Sequence, residues 1–420
     1  MASLNSEVKY REVWAWSMYD FANSGYTTVV ITAVFSAYFV GAVAGNAPWA
    51  TFAWTAALSV SYALILLTGP LLGAWADQHG AKKRLLLFST VGCVVFTALL
   101  YYASPGAVAL ALLLIVLSNY FFGVGENLIA AFLPELADSK AMGRVSGWGW
   151  AFGYLGGLTA LGICLAYILS SEGTPASTTV PITMLITAAF FALAATPTFV
   201  FLRERSTPQP RTANPLGRVM ETLRDATRYR DLRRFLLCIL FYQAGVTAVI
   251  ALAAIYAQEA MKFTQQQTIT LILVVNITAA LGAFGFGYLQ DAIGHVRAVA
   301  LTLVGWIVMI GIAYFADTAA LFWVAANLAG LCMGSSQAAG RAIVGYLAPP
   351  ARLAEFFGLW GFAVKAASIF GPLTYGAATW MFAGNHRLGI LAVGVYFVIG
   401  LALLAGIDME RGRRAALSPP

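Results

Sequence analysis

Charge is what this sequence has least of. Only 10% of its 420 residues are Asp, Glu, Lys or Arg, against 60% hydrophobic residues and a mean hydropathy of +0.77. That is too little charge to cover a soluble globule of this length, so the expected solvent is lipid. Cysteine is scarce too. Cys93, Cys164, Cys238 and Cys332 each lie inside an apolar run without metal-ligand spacing, which reads as small buried hydrophobes and leaves the redox compartment open. His79 and His295 fall in loops on one side and His386 on the other, so they cannot share a metal, and no metal site is expected. No GxxxxGK(S/T) run supplies a nucleotide site for a pump. No Ser/His/Asp constellation suggests an enzyme, and no cofactor is expected. The first residues, MASLNSEVKYREVW, lack a short apolar core with a small-residue cleavage site, so the first apolar segment is expected to be a retained helix.

What remains is long apolar runs. A bilayer core about 30 Å thick needs about 20 apolar residues per helix, and twelve such spans are expected near residues 13–42, 53–76, 84–103, 108–133, 145–170, 179–202, 235–258, 268–290, 297–315, 319–347, 356–381 and 387–406. The long polar stretch, 203–234, holds Pro208, Pro210 and Pro215, then Arg218, Glu221, Arg224, Asp225 and Arg228 at helical spacing. It reads as a linker with a surface helix rather than a nucleic-acid patch, because a connector in a membrane protein explains the basic run without a ligand. The expected organisation is an all-α membrane protein with six-helix halves 1–202 and 235–420 joined by 203–234, and a monomer.

The net charge of +7 matters less than where the cations lie. With the N-terminus inside, Lys9, Arg11, Lys82, Lys83, Arg84, Lys140, Arg144, the linker arginines, Arg297, Arg352, Arg411, Arg413 and Arg414 all gather in the cytoplasm. Lys262 and Arg387 are left outside. Both termini are therefore expected to be cytoplasmic, in a cell membrane that for a bacterium is the inner one.

The stretch GAWADQHGAKKR from Gly73 to Arg84 returns as GYLQDAIGHVR, so that Gly73, Asp77 and Gly80 recur as Gly287, Asp291 and Gly294 after spans two and eight. Two parallel halves related by an axis along the membrane normal would produce that repeat. With Lys82 and Arg84, the first copy resembles the loop signature of the major facilitator superfamily. Three further stretches, Tyr19–Phe39, Leu133–Gly157 and Gln337–Pro372, are similar to its Atg22-like, or UMF1, branch. The resemblance implies secondary transport, and a central cavity lined by the first and fourth helices of each half. Asp77 is expected to act at the cytoplasmic gate, capping a helix or pairing with an arginine.

An ionisable residue inside a span costs a few kcal/mol, so function is the default reading. Asp20 lies about 7 residues, or roughly 10 Å, into span one. Glu126, Arg341 and Lys365 lie at comparable depths in spans four, ten and eleven, so that two acids and two bases fall in one layer. The repeat aligns Tyr19 and Asp20 with Tyr242 and Gln243, and Glu126 with Gln337. Asp20 and Glu126 are the candidate proton sites. Tyr19, Asn23, Asn127, Tyr242, Gln243, Gln337, Arg341 and Lys365 are candidate cavity residues; Gly73, Asp77, Gly80, Lys82, Arg84 and Asp291 form the gating motif. A fixed bridge that never titrates would use the same acids and bases. The expected function is a proton-coupled secondary transporter of a small polar or amphipathic solute, working by alternating access. A receptor on a carrier scaffold and a carrier of lipid-like cargo are the alternatives.

Overall fold

The computed structural model describes residues 4–171, 173–206, 229–383 and 385–418. Among them are twelve helices long and apolar enough to cross a membrane: α1 (Tyr10–Val43), α2 (Ala50–His79), α3 (Lys82–Leu99), α4 (Val108–Ala130), α5 (Met142–Ser170), α6 (Ala176–Phe201), α7 (Arg230–Glu259), α8 (Gln265–Ile293), α9 (His295–Phe315), α10 (Ala319–Leu347), α11 (Leu353–Met381) and α12 (His386–Leu404). A short amphipathic helix, α13 (Met409–Leu417), follows. The surface helix expected near Arg218–Arg228 lies outside the described residues. With twelve crossings, Leu4 and Ser418 lie on one face of the bundle, the terminal face.

Helix ends follow local chemistry. Gly80 closes α2 at φ 55, a left-handed conformation that costs glycine little. Thr264 and Gln267 form a reciprocal capping box at the start of α8, and Thr318 and Asn385 cap α10 and α12 with side-chain oxygens. Span one departs from the plain helix expected of it. Over Thr27–Ala33 and again over Phe39–Val43 it widens into π-helical turns. The run TTVVIT crowds β-branched side chains against the preceding turn, and Thr32 donates to the carbonyl five residues back, Thr27 O.

The packing repeats. In the first half α1 packs on α5 and α6, α4 on α2 and α3, and α3 on α6; in the second, α7 packs on α11 and α12, α10 on α8 and α9, and α9 on α12. The halves meet where α2 crosses α11 and α8 crosses α5, one contact being the pseudo-twofold image of the other. Small residues permit both crossings. A Cβ on Gly358 would lie 2.7 Å from Gly69 O, and one on Gly147 would press on Ala283 O.

Candidate functional site

Asp20, Glu126, Arg341 and Lys365 form two ion pairs, each joining one half to the other. Asp20 of α1 accepts from Arg341 of α10 at 2.6 Å, and Glu126 of α4 accepts from Lys365 of α11 at 2.8 Å. Charges buried away from water persist only when paired, so each pair holds the halves together while both partners stay charged.

The two pairs differ in their surroundings. Arg341, 3% exposed, spends its donors on protein: Nε on Ser146 Oγ at 3.1 Å, Nη2 on Ser146 O at 2.9 Å, and Nη1 on Asp20. Its guanidinium also lies 4.5 Å from the Trp16 ring and 5.5 Å from the Trp150 ring. Ser146 in turn donates to Ala338 O at 2.7 Å. Glu126 is looser, with its side chain 24% exposed. Lys365 lies beside the rings of Tyr62 and Phe122. Ser146 and Tyr62 were not legible as site residues, because a serine or tyrosine in a span has many uses and only the fold brings these two to the ion pairs.

At the terminal face two carboxylates cap helices of the opposite half. Asp77, at the end of α2, accepts from the backbone N–H groups of Ala354 (3.2 Å) and Glu355 (2.9 Å), the second and third residues of α11. Asp291, at the end of α8, accepts from Gly143 N (3.0 Å) and Arg144 N (3.2 Å), the second and third residues of α5, and from Arg144 Nε. The residues preceding these helices, Ala141 and Arg352, supply no side-chain acceptor. Each helix therefore takes its N-terminal cap from across the interface. Gly73 and Gly287, four residues before their aspartates, allow the approach: a Cβ on Gly73 would run into Ala354 O, and one on Gly287 would lie 2.8 Å from Gly143 O. The second copy of the motif, degenerate in sequence, keeps this geometry.

Other expectations divide. Gln337 accepts from Tyr154 of α5 at 2.6 Å, another link between the halves. Gln243 and Asn23 are buried, and Asn127 is buried where α4 faces Gly69 and Gly361. Tyr19 and Tyr242 each make their hydrogen bond within their own half. Tyr19 points into its own half, bonded to Thr90 and edge-on to Phe191 and Phe199. Tyr242 packs into the second half against Gly400 and reaches toward Ser336 O. Phenol rings are large enough to fill the core of a six-helix half, and there they find hydroxyl or carbonyl partners. Lys82 also moves. It is fully buried and pairs with Glu135 within the first half, whereas Arg84 is exposed. Glu204 accepts from Lys82 N and Lys83 N, and Glu135 from Arg205 N, so the start of the linker is clamped onto that half. His79 and His295 are the last residue of α2 and the first of α9 rather than loop residues.

Comparison with known proteins follows this geometry. The family described as "Vacuole effluxer Atg22 like" matches residues 49–417. The MFS-type transporter YxiO of Bacillus subtilis (strain 168) is 29% identical over 406 residues, covering 94% of both chains. Autophagy-related protein 22 of Kluyveromyces lactis is 26% identical over 379 residues, covering 80% of this chain and 74% of its own. Among solved structures, the human organic anion transporter MFSD10 superposes with a TM-score of 0.74 at 16% identity, over 94% of this chain and 99% of its own. The E. coli fucose:proton symporter FucP gives 0.74 at 13% identity, over 95% and 98%.

Proposed function

The chain belongs to the Atg22-like family of major facilitator superfamily transporters, and from that premise we propose that it is a proton-coupled secondary transporter moving a small polar or amphipathic solute by alternating access. The observation that carries this reading is the pair of acid–base bridges, Asp20–Arg341 and Glu126–Lys365, joining the halves inside the membrane. Protonating either carboxylate removes one charge of its bridge and so weakens the contact between the halves. Deprotonation restores it. Desolvation favours the neutral acid and a neighbouring cation favours the ionised one, so a carboxyl between the two influences can exchange its proton as water gains and loses access.

Residues 1–202 and 235–420 are the rocking bodies in this proposal, with 203–234 joining them and the terminal face in the cytoplasm. The cross-half caps and ion pairs then describe a state closed toward the cytoplasm. Lower pH shifts the population toward cytoplasmic opening, because protonation deletes the acidic partner. The bridge is retained only while the carboxylate is charged.

A thermal-shift screen of metabolites at two pH values identifies the solute, since a specific ligand stabilises the fold by mass action. Reconstituted vesicles with an imposed pH gradient then give the functional test. Asp20→Asn or Glu126→Gln is expected to reduce gradient-driven uptake at least about tenfold while solute counterflow, which needs no net proton movement, persists. Retention of gradient-driven uptake by both variants would sink the proton reading, and absence of flux in the unaltered protein would favour a receptor.

A further inference from the structure

Next to Glu126 in α4 stands Asn127, one of the candidate cavity residues. Asn127 is 5% exposed, and among the described residues neither its Oδ1 nor its Nδ2 has a hydrogen-bond partner. An amide buried in this way is costly unless something satisfies it. It faces Gly361 of α11, where a Cβ would collide with the amide, and Gly69 of α2, where a Cβ would lie 3.3 Å from Nδ2. A cavity of about 10 Å³ opens at this point, bounded by Asn127, Gly69, Gly73, Leu72, Leu128 and Ala354. That is close to the smallest space that holds one water, and Asn127 offers such a water both a donor and an acceptor.

The position of the cavity gives it a use. Gly361 and Lys365 are four residues apart on α11, hence on one face and one turn apart. Asn127 and Glu126 therefore meet α11 at successive turns, with Asn127 the nearer to the terminal face. On its far side the cavity reaches Gly73 and Ala354, and Asp77 bonds to Ala354 N. Beyond Asp77 a cleft of about 560 Å³ opens between the halves, lined by Asp77, Glu135, Asp138, Arg205 and Arg413 among others. From Glu126, which is half-buried and next in sequence to a cavity-lining residue, the order outward is thus acid, unsatisfied amide, space for one water, capping carboxylate and polar cleft.

We propose that the cavity holds one water and that Asn127 with this water forms the step by which a proton passes between Glu126 and the terminal face. In that step the water accepts the proton of the Glu126 carboxyl, leaving a carboxylate paired with Lys365, and passes one of its own protons to water in the cleft lined by Asp77. The Asn127 amide orients the water and keeps its own protons. Gly69 and Gly73 line the cavity with backbone alone, and Gly361 makes room for the Asn127 amide. This inference rests on the reading of Glu126 as a proton site, and the tests below fail separately for the two.

The probe for the water is water itself. Radiolytic hydroxyl labelling of the reconstituted protein is expected to modify Leu72 and Leu128, and Asn127→Leu, which removes both polar atoms, is expected to abolish that labelling. Unlabelled Leu72 and Leu128 in the unaltered protein would overturn the water. The probe for the proton is an infrared carboxyl band followed after a step to acidic buffer and assigned to Glu126 by its loss in Glu126→Gln. Asn127→Leu should slow the appearance of that band at least about tenfold without changing its final amplitude, and Asn127→Ser, which still binds water, should restore the rate. An unchanged rate in Asn127→Leu overturns the relay even with the water present. No band lost in Glu126→Gln removes Glu126 as a proton site and the relay with it, while leaving the labelling result intact.

Discussion

Replacing Gly149 with alanine would place a methyl group against Asp20 Oδ2, 2.5 Å from Arg341 Nη2 and 2.7 Å from the Trp16 ring. The backbone of α5 passes so close to the Asp20–Arg341 pair that only a hydrogen fits. Gly149→Ala is therefore expected to cut transport at least about tenfold by prising the pair apart and to lower the melting temperature as well, since overpacking of a buried site costs about 1–3 kcal/mol. Wild-type transport in that variant would show that the pair is not needed in this geometry. The charged residues of the layer were legible because a charge inside an apolar span has few explanations. The packing of Tyr19 and Tyr242 was not legible, because a tyrosine serves equally well in a half's core or in a cavity wall, and the rotation of α1 and α7 that decides between them is a property of packing. Asn127 was named for its polarity, but its unsatisfied amide and small cavity are visible only once α2, α4 and α11 meet.

At the scale of elements, caps and clamps reach between segments distant in sequence. Lys82 opens α3 and pairs with Glu135 in the single turn Leu133–Leu136, while Glu135 also receives Arg205 N from the linker. Glu135→Ala would leave a fully buried ammonium without its carboxylate, a change that costs about 3–5 kcal/mol in comparable buried pairs. A lower unfolding midpoint is expected by thermal or denaturant melting, and the charge-free double variant Lys82→Met with Glu135→Leu should recover most of it. If the single variant melts like the unaltered protein, the clamp is dispensable. Span lengths and their order were readable from hydropathy, since about 20 apolar residues are needed to cross a bilayer. The π-helical turns of α1 were not, because a run of β-branched residues is compatible with a regular helix until neighbouring helices constrain it.

Across the whole molecule, the pseudo-twofold axis makes the two latches counterparts, Asp291 taking the Arg144 side chain in addition. Asp77 on α11 and Asp291 on α5 each neutralise a helix N-terminus and satisfy its second and third N–H groups. Interactions of this kind contribute about 1 kcal/mol each, or about fivefold in the ratio of closed to open terminal faces. Because the latches occupy different helix crossings and share no residues, their effects should add. Asp77→Ala and Asp291→Ala, which remove the acceptor that Asn would keep, are each expected to raise opening about fivefold, and together about twenty-five-fold. Opening can be read from labelling of Ala338→Cys by a membrane-impermeant thiol reagent applied at the terminal face, in a background with the four buried native cysteines replaced. Turnover should change more than apparent solute affinity, since neither aspartate lies in the charged layer. A large loss of affinity with unchanged labelling would move these residues from the gate to the binding site. Equal effects from the two substitutions would also establish that the weak sequence copy at Gly287 acts as fully as the strong one at Gly73, because a latch needs only a glycine, a carboxylate one turn later and an uncapped helix opposite.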